Sequence, residues 1–104
     1  MNLEMTTKKD GSTLTVALKG ELNTITAYEL KSVLDDNISE TDALYLDFDG
    51  CDFVSSAGLR VLLNTFKSMK AKKGTMELIN VGKSFSDVLN ITGLDAVFDV
   101  KLQA

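Results

Sequence analysis

The chain has 104 residues, enough for one domain with its own core, and a formal charge of −4 from 11 basic and 15 acidic side chains. Hydrophobic residues make up 44% and charged residues 25%, the balance of an ordinary globular protein, and histidine, proline and tryptophan are all absent. Without histidine the usual general base and the commonest metal ligand are missing, and the acidic charge works against duplex nucleic acid or an anionic membrane as partner.

Leu3 and Met5 alternate with Asn2, Glu4 and Thr6, a strand signal, and Asp10-Gly11 reads as a tight hairpin turn. Leu14, Val16 and Leu18 then alternate with Thr13, Thr15, Ala17 and Lys19. This second strand should bury its leucine-valine face and turn its threonines to solvent, leaving one sheet face without helices. Gly20-Glu21-Leu22-Asn23 ends it. Thr26 and Glu29 fit a capping box with Ile25 stapled to Leu30, opening a helix that buries Ala27, Leu30, Leu34 and Ile38 and exposes Lys31, Asp35 and Asp36.

Ala43–Phe48 reads as a third strand, and Asp49-Gly50 as a turn. After Cys51–Val54 the period changes: Leu59, Leu62, Leu63 and Phe66 fall on one stripe of a helix. With Ser55 as N-cap, Val54 and Leu59 make a hydrophobic staple. Ser56 then takes the first helical position, beside unpaired backbone N–H groups and the positive end of the helix dipole, where a phosphoryl group is well tolerated. Serine is a common N-cap, and capping alone accounts for Ser55.

On the opposite stripe Arg60, Asn64, Lys67 and Ala71 suit a solvated face, with partner contact open to its first turn and to Arg60 above all. Lys70, Lys72 and Lys73 gather where the helix dipole favours cations, so this basic cluster needs no nucleic acid, and Gly74 suits the C′ position. Thr75–Val81 reads as a fourth strand. Ser84–Asp87 opens a short helix with Phe85, Val88 and Leu89 inward, stopped by Gly93 with Leu94 making the contact of a Schellman motif. Phe98 and Val100 form a last strand or stay irregular.

No catalytic constellation stands out. Val54-Ser55-Ser56-Ala57-Gly58 has the serine of a nucleophile elbow, but lacks its first glycine, any histidine base and a lysine one turn away. Gly82-Lys83-Ser84 matches the tail of a phosphate-binding loop, but residue 77 is glutamate where that loop needs glycine. Asp47, Asp49 and Asp52 straddle a strand end, where acidic residues commonly sit in solvent; a metal cluster there is the weaker reading. No enzymatic activity, cofactor or metal is expected. The lone Cys51 cannot form an internal disulfide and suits a buried or half-buried thiol in a reducing compartment. The first residues lack the apolar core of a signal peptide, and no run approaches the roughly 18 apolar residues of a membrane span, so a cytoplasmic location is expected.

The segment Asp47–Leu63 resembles the signature of the STAS domain family, the bacterial anti-sigma factor antagonists, in which a strand runs into a loop of the form D-S-[ST]-G-L or S-S-A-G-L-R and then a helix. Gly20-Glu21-Leu22 matches the family's G-[ED]-[LI]-D element, with Asn23 where aspartate is common, and Leu89–Phe98 resembles its C-terminal part. The resemblance runs from Leu3 to Val100 and implies a single α/β domain with a small mixed β-sheet and helices mainly on one face. Aligned on Gly58-Leu59, the family's regulatory phosphoserine falls on Ser56. Ser55 stands where many members have aspartate.

The implied function is an anti-sigma factor antagonist in a partner-switching pathway. The unmodified protein would bind an anti-sigma factor serine kinase through Asn23, Ser55, Ser56, Ala57, Gly58 and Arg60. The kinase, which owns the Mg-ATP, would phosphorylate Ser56 and end the interaction, and a metal-dependent Ser/Thr phosphatase would reset it. The rival is a constitutive STAS scaffold, such as a subunit of a transporter complex. A ligand-binding module for a nucleotide or lipid rests on fold analogy alone.

Overall fold

The computed structural model describes residues Leu3–Ala104; Met1 and Asn2, and with them the Asn2 position of the first strand pattern, lie outside the described residues. The strands are β1 (Leu3–Asp10), β2 (Thr13–Leu22), β3 (Ala43–Val54), β4 (Thr75–Val81) and β5 (Asp99–Leu102). Helices α1 (Thr26–Asn37), α2 (Ser56–Ala71) and α3 (Lys83–Thr92) alternate with them, and short 3₁₀ turns follow α1 and α3 at Ile38–Glu40 and Leu94–Ala96.

The strands form one mixed sheet in the order β1-β2-β3-β4-β5, with β1 antiparallel to β2 and the other pairs parallel. Each parallel crossover moves one strand further in the same direction. Right-handed crossovers of that kind place all three helices on one face, as the threonine-rich outer face of β2 suggests. Burial agrees: Leu14, Val16 and Leu18 on β2 and Leu44, Leu46 and Phe48 on β3 are buried, while Thr13, Thr15, Tyr45 and Asp47 between them are only partly covered. The Phe48 ring packs on Phe85 of α3 at 4.8 Å, and Phe66 of α2 meets Phe98 edge-on at 5.6 Å. The second contact anchors the chain just ahead of β5, which forms as a short edge strand.

Three local expectations are corrected. Asp10 pairs with Thr13, so the hairpin loop is Gly11-Ser12, with Gly11 at φ 62, and Asp10 belongs to the strand. Asp49-Gly50 is not a turn. β3 runs unbroken through it, because two bulges against β2 absorb an extra residue each and keep Val54 opposite Leu22. At the end of α2 the left-handed position is held by Lys73 at φ 63, not by Gly74; the Lys73 and Gly74 N–H groups donate to the Lys70 and Met69 carbonyls, closing a Schellman motif.

The lysine cluster after α2 also divides by role. Lys72 reaches across to donate to the carbonyls of Ile38 at 2.6 Å, Ser39 at 3.2 Å and Thr41 at 2.7 Å. It thereby satisfies the carbonyl end of the preceding crossover, where a cation is favoured. The apolar stripe of α2 is centred on Gly58, Leu62, Thr65 and Met69, with Leu59, Val61, Leu63 and Phe66 flanking it half-buried. Thr65 enters this stripe at little cost, since its hydroxyl donates to the Val61 carbonyl at 2.8 Å.

Candidate functional site

The carboxyl ends of β2 and β3 lie side by side, and the site grows from them. Leu22 pairs with Val54, and the Ser55 N–H donates to the Leu22 carbonyl at 2.8 Å. Asn23 and Ser55 are therefore the first residues to leave two neighbouring strands at the same edge. Each starts a helix.

Ser55 is the N-cap of α2. Its backbone is extended (φ −78, ψ 171), its hydroxyl accepts from the Gly58 N–H at 3.2 Å, and its carbonyl accepts from the Leu59 N–H at 2.9 Å. Gly58 is buried against the strand ends: a Cβ there would lie 2.9 Å from Leu22 Cγ and 3.0 Å from Val54 Cγ1. Only glycine lets the first turn of α2 press this closely on the sheet, which fixes the direction in which Ser56 and Arg60 point. Ser56 opens the helix, exposed to solvent, and its hydroxyl makes no hydrogen bond among the described residues. Ala57 is half-buried, and Arg60 is exposed one turn beyond Ser56.

Asn23 starts the other helix. Its side-chain oxygen accepts from the N–H groups of Ile25 at 3.0 Å and Thr26 at 2.9 Å, and its carbonyl accepts from the Ala27 N–H at 2.9 Å. Thr26 replies: its hydroxyl accepts from the Asn23 N–H at 2.8 Å and donates to the Glu21 carbonyl at 2.7 Å. The capping box is therefore Asn23-x-x-Thr26, three residues ahead of the expected Thr26-x-x-Glu29. The expected staple is also overturned, since Ile25 is 74% exposed and cannot hold Leu30.

Between α1 and α2 a groove of about 380 Å³ opens beside this edge, lined by Ala27, Tyr28, Ala57, Arg60, Val61 and Asn64 among others. Small side chains on both helices leave the gap. Ala57 and Arg60 stand on its wall and Ser56 is exposed at the start of α2, whereas Gly58, expected among the contact residues, is buried against the strand ends and offers no surface.

The three aspartates of the strand end are each engaged by protein donors. Asp47 accepts from the Asp49 N–H at 3.0 Å and from Asn80 Nδ2 at 2.9 Å, and Asp49 accepts from Gln103 Nε2 at 3.2 Å. Asp52 accepts from the Phe85 N–H at 3.0 Å and the Ser84 N–H at 3.4 Å, capping α3, whose own N-cap Gly82 offers no side chain. Gly82-Lys83-Ser84 is thus a helix start whose anion seat is filled by Asp52. Cys51 is buried and free, with its thiol pushed up by burial first of all. It is held as the thiol, with Sγ 3.5 Å from the Phe53 carbonyl.

Ser56 thus presents an exposed hydroxyl at the junction of β3 and α2, with no side chain bonded to it among the described residues. One-sided helices on a mixed sheet, with such a serine at the strand-to-helix junction, define the class as a small α/β domain of STAS type. The chain belongs to the STAS domain family, which it matches over residues 4–104. It is 25% identical over 104 residues to the anti-sigma-B factor antagonist of Bacillus subtilis, covering all of this chain and 95% of the relative. Its fold is similar to that of an anti-sigma factor antagonist from Mycobacterium paratuberculosis (TM-score 0.85, 22% identity, 96% of this chain and 86% of the other). It also resembles the phosphorylated form of the Bacillus cell fate determinant SpoIIAA (TM-score 0.76, 18% identity, 93% and 90%).

Proposed function

We propose that the protein is an anti-sigma factor antagonist that binds a serine-kinase anti-sigma factor in the cytoplasm and is switched off by phosphorylation of Ser56. The observation that carries this reading is the division of labour at the start of α2. Ser55 is committed to the cap at 3.2 Å from the Gly58 nitrogen, while Ser56 is exposed and uncommitted. The relative of 25% identity is itself named as an antagonist of an anti-sigma factor, and it matches over the full length of this chain.

In this mechanism the protein is ligand and substrate, not catalyst. The unmodified form presents Asn23, Ser55, Ser56, Ala57 and Arg60 to the kinase, and the buried Gly58 serves by holding the first turn of α2 against the strand ends. Ile25, Tyr28 and Phe53, exposed by 74%, 72% and 51%, flank Asn23 and Ser55 in the chain and supply apolar anchors of the kind that dominate interfaces. The kinase transfers the γ-phosphoryl group of its Mg-ATP to Ser56 Oγ. ADP leaves, and the hydroxyl proton passes to the kinase. A metal-dependent Ser/Thr phosphatase returns Ser56 to the hydroxyl by hydrolysis.

The test is incubation with the cognate kinase and Mg-ATP, followed by fragment mass spectrometry. Phosphate is expected on Ser56 alone and is expected to vanish in Ser56→Ala. Phosphate on Ser55, or undiminished labelling of Ser56→Ala, overturns the assignment. Equal partner affinity of the two forms would favour a constitutive scaffold.

A further inference from the structure

Arg60 lies four residues after Ser56 on α2, and both side chains are exposed. Residues at that spacing on a helix are neighbours, about 5–6 Å apart at Cβ, and an acid placed N-terminal to the base is the favourable order. Two lysines on the neighbouring helices are engaged: Lys31 of α1 pairs with Asp35 at 2.6 Å and Lys83 of α3 with Asp87 at 3.2 Å. Arg60 has no ion-pair partner among the described residues. Of the acidic groups on the strand ends, Asp52 is bound to the backbone of α3, and Glu21 on β2 makes no ion pair with Arg60. A phosphate on Ser56 would bring three acceptor oxygens within reach of a guanidinium whose planar fork matches them.

We propose that Arg60 is a built-in receptor for the phosphate on Ser56, so that modification both adds an anion and withdraws this cation from the partner surface. The proposal rests on the Ser56 reading given above. The contact is a hydrogen-bonded ion pair within one helix and forms no further covalent bond. Arg60 thus has one role in each state. In the unmodified protein it is offered to acidic groups of the partner; in the modified protein it is folded onto its own helix. Arg60→Gln should accordingly weaken binding of the unmodified protein and reduce the further loss caused by phosphorylation.

The direct test uses protein in which phosphoserine is installed at position 56 during translation, so no kinase is needed. Phosphorus NMR follows the phosphate through its second ionisation in the parent, Arg60→Gln and Arg60→Lys. A nearby cation favours the dianion, so the parent should ionise lowest, with Arg60→Gln higher by about 0.2–0.7 pH units and Arg60→Lys between them. The helix dipole acts on all three alike, so the difference isolates the side chain. High salt should shrink it. Equal values in the parent and Arg60→Gln overturn the proposal. A kinase that leaves Ser56 untouched overturns instead the reading beneath it, whatever the titration gives.

Discussion

Asn23 shows how one atom's hydrogen bonds set what a substitution can reveal. Its side-chain oxygen caps α1 while its position beside Ser55 puts it on the proposed contact surface. Aspartate caps helices as well as asparagine does, so Asn23→Asp should keep the melting temperature of the parent. It adds a negative charge at the partner's doorstep, and a changed kinase affinity or phosphorylation rate is expected. Asn23→Ala, by contrast, should lower stability by about 0.5–2 kcal/mol through the lost cap. Thermal melts and kinase titrations of both variants decide the point. An Asn23→Asp protein that binds and is turned over like the parent would leave Asn23 a cap and nothing more. Ser55 was legible as a cap because two serines stand directly before a clear helical stripe. Asn23 was not, since Thr26-x-x-Glu29 carries the glutamate that marks a capping box in sequence and Asn23-x-x-Thr26 does not. What decides between them is the Glu21 carbonyl that takes the Thr26 hydroxyl, and the bend of the chain that brings it there is not written in the pattern.

The start of α3 depends on a contact that spans more than thirty residues. Asp52, on the strand that leads into Ser55, supplies the cap that Gly82 cannot, and Gly82 is bare because a Cβ would sit 2.7 Å from the Asp52 carboxylate. The helix and its inward Phe85 and Leu89, both buried, are legible because periodicity is local, while Val88, expected inward with them, is only half-buried. Asp52 is exposed, as expected of a strand-end aspartate, but its capping role is not legible because nothing local links residue 52 to residue 85. The bulges of β3 are illegible for a related reason: Asp49-Gly50 carries the composition of a turn, and only continued pairing with β2 shows that the strand goes on. Asp52→Ala should therefore destabilise the domain by about 0.5–2 kcal/mol, with Asp52→Asn milder because an oxygen acceptor remains. Gly82→Ala should destabilise it too, by forcing the carboxylate away from the α3 N–H groups. Denaturant melts of the three proteins check this, and an Asp52→Ala protein as stable as the parent would show that water caps α3 just as well.

At the level of the molecule, the one-faced sheet was legible from alternation on β2 and from three helical stripes: Leu14, Val16 and Leu18 are buried as the alternation requires, and Leu30 and Leu62 as the stripes require. That layering bears on how the switch works. α2 is held by Gly58, Leu62, Thr65 and Met69, all buried on the side away from the exposed Ser56 hydroxyl. A phosphate at the first helical position adds about −1.5 to −2 charges to a chain of net charge −4, yet it does so where the helix dipole favours an anion. The fold should therefore survive phosphorylation with an unchanged or slightly higher melting temperature. Partner release then follows from charge repulsion, desolvation and the bulk of a dianion within the contact surface. The contrary mechanism, in which the modification melts the first turns of α2, makes a different forecast. Amide hydrogen exchange and melting of the two forms separate them. Retained protection over Leu59–Phe66, with kinase affinity falling more than about tenfold, or about 1.4 kcal/mol, supports the blocked surface. A phosphorylated form that melts several degrees lower and loses that protection would mean the switch works by undoing the helix itself.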